Sequence, residues 1–432
     1  MKVIGIDIGT TSICGISVDT ESGRVLKSET LPNDAFIKTD FEFERIQDPE
    51  KIMNRVFEIL SRLEPQNASA IGFSGQMHGI VYTDKNGNAV SPLYTWQDER
   101  AAKEYKDGKS YAEALGCFAG YGLATDFYNS VNGVVPDSAE YLCTVADYAV
   151  MRLCGNSKPL VHITNAASLG CFDIENNKYT VDNPRLPEVT AEFTAAGKYN
   201  GIPVCIALGD NQASFIGSVS DFEYALINVG TGSQISWLTD TKVCAEGVEN
   251  RPFDGKCYLA AGCALCGGRA FAMLEKLFRE IAALAGADES KTLYPEIDKV
   301  LENKLDTTLS ADCRFCGTRN DPSVRGGISN ISENNFTASD IALAVLNGMS
   351  RELYEMYSNC GKKAEKLVCS GNGMRKNAAL RRVVSNMFGC DIKIPLFNEE
   401  ASYGAALAAG VACGIFSNIS EACKTLVSYR EN

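Results

Sequence analysis

Two stretches of this chain follow one pattern. Residues 3–16 read VIGIDIGTTSICGI and residues 225–238 read ALINVGTGSQISWL. Each is an apolar run, a Gly-Thr-Thr/Gly-Ser turn and a second apolar run, so each reads as strand, tight turn, strand. Gly9 aligns with Gly230, Thr10 with Thr231 and Ser12 with Ser233, at a spacing of half the chain. Neither turn is a Walker A loop, because no Gly-Lys-[Ser/Thr] closes it, and neither has the G-x-G-x-x-G spacing of a dinucleotide fingerprint. One such turn alone is an ordinary hairpin. A matched pair marks an internal repeat, with two related α/β domains that each open on a turn of phosphate size. Backbone N–H groups and threonine hydroxyls suit phosphate oxygens, because they donate without bulk. At 432 residues the chain exceeds one ordinary core. The polar stretch SVSDFEY (218–224) breaks the periodicity, so the domains are expected over 1–219 and 220–432.

The copies differ at one position. The first carries Asp7 before its turn, and the second carries Asn228. A carboxylate beside phosphates is repulsive unless a cation lies between them, so Asp7 suggests Mg²⁺ held through water. This doubled strand-hairpin plan resembles the ATPase superfold of actin, Hsp70 and the sugar kinases. The resemblance implies two actin-like (ribonuclease H-like) domains flanking a catalytic cleft, and fold alone does not choose the member.

Composition removes other classes. A net charge of −13 argues against nucleic acid or an anionic membrane surface as the main partner. The apolar stretch 401–416 is too short and too rich in small residues to span a bilayer. Met1-Lys2 runs straight into a strand, with no signal peptide in view. Seventeen cysteines, an odd number, are scattered through apolar segments, which reads as reduced thiols in a cytoplasmic core. The pairs Cys263/Cys266 and Cys313/Cys316 lie far apart for a zinc ribbon, and packing is the simpler reading.

Three loops in the first half carry polar chemistry. SAIGFSGQMHG (69–79) ends a buried strand on Gln76, Met77 and His78. LYTWQDER (93–100) offers Trp96 and Asp98, and IALGDNQAS (206–214) ends a strand on Asp210 and Asn211. An indole face, carboxylates, an imidazole and amides suit a polyol, whose carbon faces stack and whose hydroxyls need paired donors and acceptors. Each has a plainer alternative. Trp96 could be core, His78 a structural hydrogen bonder, Asp98 a salt-bridge partner of Arg100, and Asp210 a helix N-cap.

GQMHG, WQDER, GDNQAS and the two turns together resemble the FGGY family of carbohydrate kinases. FCGTRNDPSVRGG (315–327), SGNGMRKNAALRRVVSNMFGCDI (370–392) and EEASYGAALAAG (399–410) are similar to later family segments: a Gly-Arg-Pro region, an adenosine loop and a connecting helix. The resemblance covers nearly the whole chain. Thr318 stands where the family has Glu, and Asn372 replaces a Gly. YGLATDFY (121–128), ADYAVMRLCG (146–155) and TNAASLGCFD (164–173) look more like the sedoheptulose kinases than the xylulose kinases.

The resemblance implies ATP and Mg²⁺ as cofactors and a ketose as substrate. Asp210 is then the general base that takes the proton of the sugar's terminal hydroxyl. Gln76, Met77, His78, Trp96, Asp98, Tyr128, Asp210 and Asn211 are the expected sugar contacts. Gly9, Thr10, Thr11, Ser12, Gly230, Thr231, Gly232, Gly371, Gly373 and Asn377 are the expected nucleotide contacts. A homodimer is left open. Other FGGY sugar or polyol kinases, xylulose kinase first, are the alternatives within the family. An actin- or Hsp70-like ATPase or a non-catalytic sugar-binding regulator are those outside it.

Overall fold

The computed structural model describes residues 1–319 and 321–431; Asn320, within the 315–327 segment, and Asn432 lie outside the described residues. The chain forms two compact units. They are not two consecutive halves cut at 219/220. The first holds Met1–Asp221, Arg251–Tyr258 and Glu399–Ser428, and the second holds Phe222–Asn250, Leu259–Asn398 and Tyr429–Asn432.

In the first unit Lys2–Ile8 and Ser12–Asp19 form the expected hairpin, with Ile8 opposite Ile13. Ala68–Gly75 runs parallel to Lys2–Ile8 and sets Asp7 beside Ser74. Val25–Pro32 extends the sheet on one side, and Ile202–Cys205 with Ala195–Tyr199 extend it on the other. Apolar residues on both sides of the central strands are buried, as a sheet covered by helices on both faces requires. Pro49–Arg62 packs against Gly15 through Ile59. Its start is fixed by Asp48, whose carboxylate accepts from the N–H groups of Glu50 and Lys51, and by Pro49 at the first position.

Glu400–Ala412 covers the opposite face together with Asp210–Ser218. A Cβ on Gly5 would lie 1.8 Å from the Ser402 carbonyl, and one on Gly404 would lie 1.9 Å from the Ala213 carbonyl. Only glycine permits this approach. It is why the small-residue helix near the C-terminus belongs to the first unit.

The second unit repeats the plan. Ala225–Val229 pairs antiparallel with Ser233–Thr239 and parallel with Leu367–Ser370, which sets Asn228 beside Ser370. Its longer helices are Gly268–Leu284 and Ala338–Ser358. Ala342–Leu346, Met349 and Leu353 of the longer helix enter the core with Ile227, Val229 and Ile235.

Candidate active site

Each turn is built so that its acceptors face inward. In the first, the Gly9 carbonyl accepts from Asn33 Nδ2 (2.8 Å), Thr10 from Gln47 Nε2 (2.9 Å) and Thr11 from the Asn33 backbone N–H (2.9 Å). Asn33 and Gln47 are buried. In the second, the Gly230 carbonyl accepts from Gly268 N (2.9 Å), Thr231 from Arg269 N (3.0 Å) and Gly232 from Gly230 N (3.0 Å). With carbonyls occupied from behind, the electropositive side of each turn is the side left for an anion. Thr11, Ser12, Gly230 and Thr231 are exposed.

Asp7 and Asn228 occupy matching positions and contact matching serines. Ser74 Oγ donates to Asp7 Oδ1 at 2.7 Å, and Asn228 Nδ2 donates to Ser370 Oγ at 2.9 Å. The charged copy is the one set among other carboxylates. Burial first, and then Glu399, raise the Asp7 carboxyl above its usual range, against the Ser74 bond. Asp210 is pushed up to about 7, by burial first and then by Asp7, against Arg251. Asp7, close enough to Glu399 and Asp210 to feel the one and raise the other, is a hard-oxygen donor that fits Mg²⁺. Among the described residues no group of three or more His, Cys, Asp or Glu side chains is arranged to hold a metal by itself.

Asp210 opens the helix Asp210–Ser218 directly after the strand Leu208–Gly209. Gly209, not Asp210, is the N-cap, and no side chain caps this helix. The carboxylate accepts from Asn211 Nδ2 at 2.9 Å, and the same amide reaches Met77 Sδ at 3.4 Å. Gly209 N donates to Thr164 Oγ1 at 3.0 Å, and that hydroxyl lies 3.0 Å from His162 Nδ1. His162 Nε2 is 3.2 Å from the Ala191 carbonyl, so Nε2 carries the proton and Nδ1 accepts from Thr164. Burial holds His162 down at about 4, hence neutral near pH 7. Thr164 and His162 were missed in the sequence; a histidine two residues before a threonine carries no motif.

His78 has a left-handed backbone (φ 74°), unusual for a residue with a side chain. Its ring stacks on Tyr121 at 4.4 Å and 6°, and Nδ1 lies 2.7 Å from the Ser168 carbonyl. A carbonyl only accepts, so His78 Nδ1 donates to Ser168. Trp96 is 46 % exposed and donates from Nε1 to Thr10 Oγ1 at 3.0 Å. Trp96 is therefore not core. It lines a surface cavity of about 450 Å³ with Glu42, Arg45, Gln97 and Gly120.

Asp98 and Tyr128 both have protein partners. Asp98 is 1 % exposed, and its oxygens accept from Arg100 Nε (2.6 Å), Arg100 N (3.1 Å), Arg100 Nη2 (3.2 Å) and Arg45 N (3.0 Å). The salt bridge to Arg100 is present, and Asp98 also lines the cavity beside Trp96. Tyr128 packs edge-on against Tyr111 at 5.0 Å, within the Arg100 cluster.

On the second unit Gly371 adopts φ 82°, and a Cβ there would lie 2.5 Å from the Val229 carbonyl. This glycine lets the helix Gly371–Lys376, with Gly373, start against the strand that leads into the second turn. Asn377 accepts from Leu380 N at 2.7 Å and caps the helix Ala378–Phe388, while its buried Nδ2 has no partner. The cysteines are free thiols. Cys263 donates to Gln234 Oε1 at 3.3 Å and Cys313 to the Val345 carbonyl at 3.4 Å, while Cys266 and Cys316 are within hydrogen-bond range of one another, so the two C-x-x-C pairs meet through one thiol of each. No helix among the described residues is long and apolar enough to cross a membrane.

Comparison with known proteins bears on this geometry. Residues 2–184 match the N-terminal domain of the FGGY family of carbohydrate kinases, and residues 225–413 match its C-terminal domain. The chain is similar to human sedoheptulokinase, at 26 % identity, with 94 % of this chain and 96 % of that protein covered. It is similar to the xylulose kinase of Lactococcus lactis at 25 % identity, covering 99 % and 91 %. Its fold is that of a ligand-bound xylulose kinase from Lactobacillus acidophilus, with a TM-score of 0.84 at 20 % identity, covering 100 % of this chain and 93 % of that one. The doubled turn, the paired Asp7/Asn228 positions and both matched domains make this chain a member of the FGGY family of carbohydrate kinases, a sugar phosphotransferase that uses ATP.

Proposed function

We propose that the protein transfers the γ-phosphoryl group of ATP to the terminal primary hydroxyl of a ketose, sedoheptulose first, with Asp210 as general base. The observation that carries the reading is Asp210 itself. Burial and the Asp7 carboxylate set its acidity near 7, close to working pH for a base, and helix Asp210–Ser218 fixes its place. The hydroxyl proton passes to the carboxylate as the sugar oxygen bonds to the γ-phosphorus. The bond from that phosphorus to the β,γ-bridging oxygen breaks, and ADP leaves.

Gln76, Met77, His78, Trp96 and Asn211 supply the sugar contacts. His78 meets a hydroxyl, and the exposed Trp96 indole offers a carbon face. N–H groups over Gly9–Ser12 and those of Thr231 and Gly232 take phosphate oxygens, Gly230 shapes the second turn with its N–H on the Gly232 carbonyl, and Gly371, Gly373 and Asn377 receive the adenosine side. Asp7 would hold Mg²⁺ through water, and the ion would supply charge neutralisation for the phosphates. Similarity to human sedoheptulokinase over 94 % of the chain supports sedoheptulose, and similarity to the Lactococcus lactis xylulose kinase keeps D-xylulose as the second candidate.

The test is ADP release with sedoheptulose, D-xylulose, D-ribulose, L-ribulose, D-fructose, glycerol or no sugar. Highest turnover with sedoheptulose, lost in Asp210→Ala, supports substrate and base together. Highest turnover with D-xylulose overturns the substrate, and equal turnover without sugar overturns the reading.

A further inference from the structure

The expected role of the Thr10 hydroxyl is to hold phosphate, but its hydrogen bonds commit it elsewhere. Thr10 Oγ1 accepts from Trp96 Nε1 at 3.0 Å and donates to Gln76 Oε1 at 3.3 Å. Gln76 Nε2 donates to Gln47 Oε1 at 2.9 Å, and Gln47 Nε2 donates to the Thr10 carbonyl at 2.9 Å. The path leaves Thr10 by its side chain and returns to it by its backbone.

The direction of every bond is settled from the two ends. A carbonyl only accepts, so Gln47 turns its NH₂ toward Thr10 and its oxygen toward Gln76. Gln76 must then present its NH₂ to Gln47 and its oxygen to Thr10. An indole N–H only donates, so the Thr10 oxygen accepts from Trp96 and spends its single proton on Gln76. Gln47 is 0 % exposed and Gln76 is 3 % exposed, whereas Trp96 is 46 % exposed. The two amides are thus buried, Thr10 is half-buried and Trp96 is exposed. Breaking any buried link strands an amide group without water to replace its partner.

We propose that Thr10, with Gln47 behind it, is a positioning residue that couples sugar recognition to the first phosphate turn. The inference rests on the reading above that Trp96 and Gln76 meet the sugar. A sugar seated on the exposed indole fixes Trp96. Trp96 fixes the Thr10 hydroxyl, and the ring through Gln76 and Gln47 holds the Thr10 carbonyl turned away from the nucleotide. The phosphate is then held by the turn's N–H groups and not by the Thr10 hydroxyl.

Calorimetric titration of the full chain with Mg²⁺ and the β,γ-imido analogue of ATP, with and without saturating sedoheptulose or D-xylulose, tests this. The readout is the coupling factor, the ratio of nucleotide Kd without sugar to that with sugar. Sugar binding is followed separately by tryptophan fluorescence. In the unaltered protein the factor is expected at about tenfold, within the ordinary range of site-to-site coupling. In Thr10→Val it falls toward one, while nucleotide Kd without sugar changes by less than about threefold, since no hydrogen bond to phosphate is lost. Thr10→Ser, which keeps the hydroxyl, retains the coupling. A Thr10→Val protein that loses about tenfold or more in nucleotide affinity without sugar, with the coupling factor intact, makes Thr10 a phosphate ligand and overturns the proposal. Sugar binding with a factor of one in the unaltered protein also overturns it and leaves the sugar reading standing. Binding of neither sugar overturns both.

Discussion

The two phosphate turns are alike in backbone and unlike in what supports them. The first is braced by side chains: Asn33 and Gln47 reach in from other parts of the first unit to occupy its carbonyls. The second is braced by main chain, the N–H groups of Gly268 and Arg269 at the start of Gly268–Leu284. The first carries Asp7, among carboxylates; the second carries the amide of Asn228 at the same register. The backbone geometry is thus duplicated, while the side chains around the two turns differ. The charge that can organise a metal and tune a base is kept with the sugar loops. A brace made of side chains can be wired to a neighbouring loop, whereas one made of backbone cannot respond to anything but the helix it belongs to.

That contrast can be broken most severely at Asp210. Asp210→Asn keeps the shape and removes the base, so kcat should fall by about 10²- to 10⁴-fold with sugar binding retained. In the unaltered protein kcat/KM should fall below about pH 7 on the acid side, because the base works only when deprotonated and Asp210 is protonated there. Since Asp7 raises Asp210, Asp7→Asn should move that acid limb to lower pH, and an unmoved limb would contradict the coupling of the two carboxyls.

Exchanging the signature residues is the next largest effect. Asp7→Asn makes the first turn resemble the second and should cost about tenfold or more in kcat while raising the Mg²⁺ needed for half-maximal rate. Asn228→Asp adds a carboxylate where no partner cation is organised, and KM for ATP should rise by about tenfold. If steady-state kinetics show Asn228→Asp to be silent, the asymmetry between the turns has no electrostatic meaning.

Smaller effects distinguish the two braces. Gln47→Ala and Asn33→Ala each leave a half-buried turn carbonyl without its donor, and nucleotide Kd should weaken by about tenfold. Arg269→Ala keeps its backbone N–H on the Thr231 carbonyl, so nucleotide Kd should change by less than about threefold. Equal losses at Gln47 and Arg269 in a nucleotide titration would erase the distinction between side-chain and main-chain support.

Much of this was legible in the residues. GIDIGTTS and INVGTGSQ each contain strand, turn and strand within a dozen positions, so local pattern suffices to recognise the hairpins and their repetition. The Asp7/Asn228 difference is visible in the same alignment. Asp210 after ALG stands at a strand end by hydrophobic pattern alone. The periodicity of 270–285 and 339–357 reports helices for the same reason, since the apolar spacing lies within each segment.

Other features depend on residues distant in the chain. The Asp98–Arg100 ion pair is completed by Arg45, whose backbone N–H lies 3.0 Å from the carboxylate although it is 53 positions away in the chain. Gln47, in no motif, acquires its role because folding sets it between Thr10 and Gln76. The return of Glu399–Ser428 to the first unit follows from carbonyls that can approach Gly5 and Gly404 only where no side chain stands. The acidity of Asp210 is likewise a property of its burial and its neighbour Asp7. The sequence by itself determined the repeated hairpins, their unequal charge and the family. Only the tertiary structure decided which polar side chains stay accessible and which are consumed holding the turns, because hydrogen-bond partners and desolvation are set by what folding brings together, not by spacing along the chain.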